Sequence, residues 1–133
     1  MIVAVDFDGI LTHNDAKFPE IGSPNWPVIN FVKHLIVEGH EVILWTSRVD
    51  MPLENAVRWC VEHGLQFTAV NENAPSNIEK YQQLYPNGTR KVYADIYIDD
   101  HSPEYAYALI TEGEETATNL LLITLRRIIY GNW

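Results

Sequence analysis

The sequence predicts an α/β domain in which helices cover both faces of a mainly parallel sheet. Three observations carry this expectation. Short apolar runs rich in β-branched residues recur at residues 2–6, 41–45, 65–70 and 92–98. Segments with helical apolar spacing lie between them, and such alternation is the pattern of βαβ units. Acidic and hydroxyl side chains then gather where several of the runs end, which is where ligands collect in open α/β sheets. With 133 residues, the chain suits one domain around one core.

The elements follow in order. Residues 2–6 read as a buried strand that runs into Asp6, Phe7, Asp8 and Gly9. Residues 9–27 are irregular, because Gly9, Pro19, Gly22, Pro24 and Pro27 interrupt any period. Over residues 28–38, Val28, Ile29, Phe31, Val32, Leu35 and Ile36 form a helical face, and Gly39 stops it. Residues 41–45 (EVILW) are the second strand. Residues 52–63 fit a helix with Leu53, Ala56, Val57, Cys60 and Val61 inward, closed by Gly64. Residues 65–70 are the third strand. A polar stretch over 71–91 holds a short helix near 78–84 and a turn at Pro86-Asn87-Gly88. Residues 92–98 form the fourth strand and deliver Asp99 and Asp100, and a last helix spans about 116–130. The whole reads as a three-layer Rossmann-like fold in a single domain over residues 1–133, with no internal repeat or linker.

Composition narrows the function. Hydrophobic residues make up 47% of the chain, enough for a packed core. The formal net charge of -9 argues against a basic face for duplex nucleic acid. It leaves room for a phosphorylated substrate, because a bound cation reverses local charge. The lone Cys60 forms no internal disulfide, no leader-like segment precedes the first strand, and no apolar run has the length of a membrane span. A cytoplasmic protein free of the membrane is expected.

The chemistry starts at Asp6 and Asp8. Two carboxylates side by side at a strand end repel, and a divalent cation relieves the repulsion. A carboxylate can also attack phosphorus. The second strand ends in Thr46, Ser47 and Arg48, and the fourth in Asp99 and Asp100, with Arg90 and Lys91 ahead of it. A parallel sheet brings these ends to one edge. Adjacent residues point to opposite faces of a strand, so Asp100 is the preferred metal ligand, with Asp99 as its supporting or alternative partner. Lys80 is a rival to Lys91.

DFDGI at 6–10, the apolar strand ending in Thr46, Lys91, and IDD at 98–100 resemble the four ordered motifs of the haloacid-dehalogenase-like (HAD) superfamily. The likeness covers roughly residues 1–105 and is greatest to the small phosphatase-like members. It implies Asp6 as nucleophile through an aspartyl-phosphate, and Asp8 as general acid and then base. It implies Mg²⁺ held by Asp6, the Asp8 carbonyl and Asp99 or Asp100. Thr46 would bind a phosphoryl oxygen and Lys91 would neutralise charge. Beside these, Gly9 after the acidic pair and Ser47 and Arg48 after Thr46 are candidate substrate contacts by position. For Arg48 a solvated surface position is the alternative. Ile10 departs from the usual threonine of the motif. Neither residues 9–27 nor 71–91 leave room for a cap domain, although the first could form a small flap.

Other readings stand beside this one. A receiver-like signalling domain expects its phosphoacceptor at the end of the third strand, which here is Val70-Asn71. A non-catalytic phosphate-binding module would lack the chemical groups that are present, and a nucleotidase-like hydrolase is a minor alternative within the resemblance. His13, His34, His40, His63 and His101 show no metal spacing; His40 and His63 read as structural, and His101, which follows the acidic pair, either reaches the site or stands apart from it. Glu112, Glu114 and Glu115 read as a solvated turn and helix start. Apolar residues from Leu120 to Trp133 imply packing on the sheet, or a helix shared in a homo-oligomer. Tyr105 and Tyr107 are placed at an interface or the substrate entrance.

Overall fold

The computed structural model describes residues 1–131; Trp133, named above with the last helix, lies outside them. The first strand, β1 (Ile2–Val5), is four apolar residues buried on both faces. It pairs in parallel with β2 (Glu41–Leu44) on one side and β4 (Ile96–Ile98) on the other. β2 in turn pairs with the short β3 (Ala69–Val70), so the four parallel strands run in the order β3-β2-β1-β4. This is the Rossmann-like α/β architecture the sequence predicts.

Topology decides where the helices go. The connections from β1 to β2 and from β2 to β3 step the same way along the sheet. Right-handed crossovers therefore put α1 (Trp26–Val37) and α2 (Asp50–Glu62) on one face. The connection from β3 to β4 steps back past β2 and β1, and its helix α3 (Pro75–Tyr81) falls on the other. The hydrophobic clusters agree. Val3, Val5, Val42, Leu44 and Ile98 pack with Ile29, Val32 and Leu35 of α1 and Ala56 and Cys60 of α2. They are joined by Ala117, Leu122 and Leu125 of the final helix α5 (Glu114–Tyr130). The opposite face is thinner: Ile2, Ala4, Ile43 and Ala69 meet Ala74, Val92, Ala94 and Trp45. Because β1 connects toward β2 while β4 arrives from the far side, the ends of β1 and β4 form the switch point at which such sheets bind ligands.

Several boundaries differ from the sequence reading, each for a local reason. The third strand is shorter than 65–70. Gly64 takes φ +82 and the Leu65 N–H returns to the Cys60 carbonyl at 2.8 Å, so Leu65 is buried as the end of α2, not in the sheet. The fourth strand is shorter than 92–98, because the Tyr97 hydroxyl takes up the Val92 carbonyl and the Ala94 N–H at 2.6 and 3.0 Å. The short third helix lies at Pro75–Tyr81, ahead of 78–84, with Pro75 in its first turn.

An additional helix, α4 (Pro103–Glu112), occupies a stretch for which no element was expected. Only Tyr105 of α4 is buried, so its apolar stripe is too narrow to read from the sequence. Tyr105 thus belongs to the core, while Tyr107 is exposed. Gly113, at φ 90, separates α4 from α5. Among the described residues, no helix is long and apolar enough to cross a membrane.

Candidate active site

The site begins with the turn after β1. The Asp6 N–H donates to the Ile98 carbonyl at 2.8 Å, which extends the β1–β4 pairing by one residue. The chain then makes one wide turn over Phe7–Leu11, closed by the Thr12 N–H on the Phe7 carbonyl at 3.3 Å. Asp8 stays extended within it and Gly9 takes φ 80, a region that glycine enters without strain. Ile10 is buried, and the buried hydroxyl of Thr12 lies inside the turn, 3.4 Å from the Gly9 N–H.

An open cavity of about 480 Å³ lies at the carboxyl ends of β1, β2 and β4, lined by Asp6, Asp8, Trp45, Thr46, Ser47, Asp99, Asp100 and His101. The fold thus brings together both DxD carboxylates, the acidic pair and the hydroxyls after β2. A second cavity of about 290 Å³ between β3 and α3 holds Glu72 and Glu79 and none of these groups.

Asp6 carries the main electrostatic signal. Burial pushes its carboxyl up to about 9, helped by a hydrogen bond with Asp100 and the charges of Asp99 and Asp100, against the opposing Phe7 N–H. That N–H reaches Oδ1 of Asp6 at 2.8 Å. Asp100 is the member of the acidic pair that meets Asp6. Asp99 faces the next turn, where its Oδ1 accepts from the His101 N–H at 2.8 Å. The exposed His101 ring places Nδ1 2.9 Å from Oδ1 of Asp100. Asp99, Asp100 and His101 also have ligand atoms within 4.8 Å of one another.

Asp8 is not free. Arg48 Nε and Nη2 meet its two carboxylate oxygens at 2.7 and 2.8 Å. Arg48 is 2% exposed, so it is no solvated surface arginine. It also donates to the carbonyls of Pro19, Glu20 and Pro52 at 2.9, 3.1 and 3.4 Å. All five guanidinium donors are therefore engaged within the protein.

Residues 12–25 form the small flap. His13 N–H pairs with the Ser23 carbonyl at 2.8 Å, Thr12 bridges Pro24, and the Asp15 carboxylate holds the Ser23 hydroxyl. The Pro19 and Glu20 carbonyls fix its tip to Arg48.

Thr46 is set from two sides. Its N–H donates to Oδ1 of Asn71 at 2.8 Å, and its Oγ1 accepts the Arg48 N–H at 3.1 Å, which leaves its own O–H to donate into the cavity. Asn71, at φ 52 just past β3, was missed from the sequence; an Asn at a strand end is the available signal, since Asn enters this backbone region more readily than most residues. Trp45 of the lining was not assigned from sequence, whereas His101, for which the sequence left both the site and a place apart from it open, does line the cavity. Neither candidate lysine joins the lining residues. Lys91 Nζ lies 5.6 Å from the Tyr97 ring centre, and Lys80 Nζ 5.2 Å from that of Tyr81.

No family model and no curated protein matches the chain. Among solved structures, a conserved protein from Bacteroides thetaiotaomicron matches with a TM-score of 0.64 and 34% sequence identity. The match covers 84% of this chain and 90% of that one. At that identity over most of both chains, the protein belongs to the family of this conserved Bacteroides thetaiotaomicron protein.

Proposed function

We propose that the chain is a Mg²⁺-dependent phosphatase that hydrolyses a phosphomonoester through an aspartyl-phosphate on Asp6, as a small capless member of the HAD-like superfamily. The observation that carries this reading is the contact of Asp6 with Asp100 at the ends of neighbouring strands, where the Asp6 carboxyl is pushed up to about 9. Carboxylates packed this tightly call for a cation, and an all-oxygen donor set suits Mg²⁺. Asp6, Asp100 and the Asp8 carbonyl would hold it, with Asp99 in support. When bound, it offsets the negative charge of both the carboxylates and the phosphoryl group.

The residues then divide the work. An Asp6 oxygen bonds to phosphorus as the bond to the ester oxygen breaks, and Asp8 gives that oxygen a proton. Water next attacks the phosphorus and yields its proton to Asp8, while the bond from phosphorus to Asp6 breaks. The products are the alcohol and inorganic phosphate, with Asp6 set free and Asp8 protonated again. Thr46 donates its hydroxyl to a phosphoryl oxygen, and Ser47 stands exposed at the same rim. The testing experiment is phosphate release from a panel of phosphomonoesters, with and without Mg²⁺, for wild type and Asp6→Asn. Release that requires both Mg²⁺ and Asp6 supports the reading; release that survives Asp6→Asn, or absence of release throughout, removes it.

A further inference from the structure

We propose that Arg48 is a positioning residue that joins Asp8 and the flap into one unit, so that Asp8 is correctly placed only while the flap is closed down on it. The part of this that concerns turnover rests on the phosphatase reading. Three groups of contacts support it. The guanidinium fork grips both oxygens of Asp8, which fixes the rotation of that carboxylate as well as its position. Its remaining donors go to backbone carbonyls on the flap, at Pro19 and Glu20, and at the start of α2, at Pro52. The planar group also lies between two rings, with Cζ 5.2 Å from the centre of buried Phe7 and 5.1 Å from that of exposed Phe18.

The arrangement is over-determined at Arg48; a second tie of the flap to the body is at its base, where His13 Nδ1 lies 2.7 Å from Oε1 of Glu114 on α5. Asp8 has no described hydrogen bond of its own to the flap; the two are connected through the guanidinium. The Asp8 side chain remains 45% exposed and lines the cavity, so the face turned away from Arg48 is open to a leaving group or to water. With no donor left over, Arg48 has nothing to offer a phosphoryl oxygen, and its effect on the reaction passes through Asp8.

The experiment has two arms. Amide hydrogen exchange over residues 12–25 is compared in wild type and Asp8→Ala, with residues 28–36 of α1 as internal reference. Removing the Asp8 carboxylate leaves two Arg48 donors without acceptors, so flap exchange is expected to rise about tenfold while the α1 reference stays unchanged. Flap exchange at the wild-type rate overturns the coupling.

In the second arm Arg48→Lys, which keeps the charge and loses the fork, is assayed with Mg²⁺ on ethyl phosphate and p-nitrophenyl phosphate. The nitrophenolate leaves without a proton and ethoxide does not. Misplacing Asp8 should therefore lower the rate of leaving-group release, read in a single turnover before water attacks, on the order of 10²-fold for ethyl phosphate and about tenfold or less for the aryl ester. Equal losses on both esters would mean a merely structural arginine and overturn the positioning role. Hydrolysis of neither ester by wild type would remove the phosphatase reading instead, and the exchange arm would then decide the coupling by itself.

Discussion

Gly9 and Asp100 are in contact so close that a methyl group on Gly9 would stand 2.5 Å from Oδ2 of Asp100. The glycine therefore does two things: it turns the chain at φ +80 and leaves room for the carboxylate. Gly9→Ala should cost about 1–3 kcal/mol of stability through the strained backbone. It should also weaken Mg²⁺ binding by displacing Asp100. Thermal melting with and without Mg²⁺ separates the two effects, and a variant that melts lower yet keeps the full Mg²⁺ response would contradict the second.

Asn71 holds the backbone of Thr46 through one side-chain hydrogen bond. Asn71→Ala removes that acceptor and also forces alanine to φ 52, so a loss of about 1–3 kcal/mol is expected. Asn71→Gly tolerates the backbone and loses only the hydrogen bond, so it should recover part of the stability but none of the Thr46-dependent activity. Denaturant unfolding of both variants, with phosphate release alongside, checks this.

The pH dependence of the metal-free protein follows from Asp6. An unfolded aspartate ionises near 3.8, and in the fold Asp6 does so near 9. Between those values the folded chain keeps a proton that the unfolded chain has released. Asp6 thus contributes stability that is fully present below about pH 3.8 and lost as pH rises through about 9. Mg²⁺ must displace that proton, so the rise in Tm on adding Mg²⁺ should be larger near pH 9 than near pH 6, roughly by the linkage of one proton. Asp6→Asn should abolish the pH dependence of the Mg²⁺ effect. A Mg²⁺ response equal at both pH values would exclude Asp6 as a ligand.

Lys91 gives a separate comparison. Its ammonium lies over Tyr97, apart from the carboxylates that line the cavity. Asp6→Asn should lower kcat/KM by roughly 10³-fold or more, as expected for loss of a nucleophile. From its present position Lys91→Met should lower kcat/KM by about tenfold or less. A loss comparable to that of Asp6→Asn would show that Lys91 swings into the site during turnover.

The features legible in the sequence were those with a period or a punctuation. Val3 and Val5 announce a buried strand, Gly39 and Gly64 end the helices they follow, and Asp6, Asp8 and Asp100 lie where a parallel sheet collects its strand ends. Arg48 was found as a residue but not in its role. Its partners include carbonyls at 19, 20 and 52, and a backbone carbonyl looks the same at every position of a sequence. Asn71 escaped for a related reason, since a single side chain bonded to a single N–H leaves no pattern. The helix Pro103–Glu112 was invisible because it buries only Tyr105.

The carboxylates around the cavity also have a kinetic consequence. The chain has a formal net charge of -9, and its cavity presents Asp99 and Asp100 beside an Asp8 paired with Arg48 and an Asp6 that keeps its proton to about pH 9. An anion that approaches the bare site meets a field of its own sign, whereas a cation is drawn in faster as ionic strength falls. On the phosphatase reading the order of arrival would thereby be set, with the metal first and the anionic substrate second. A chain that meets its substrate before its metal would turn it away.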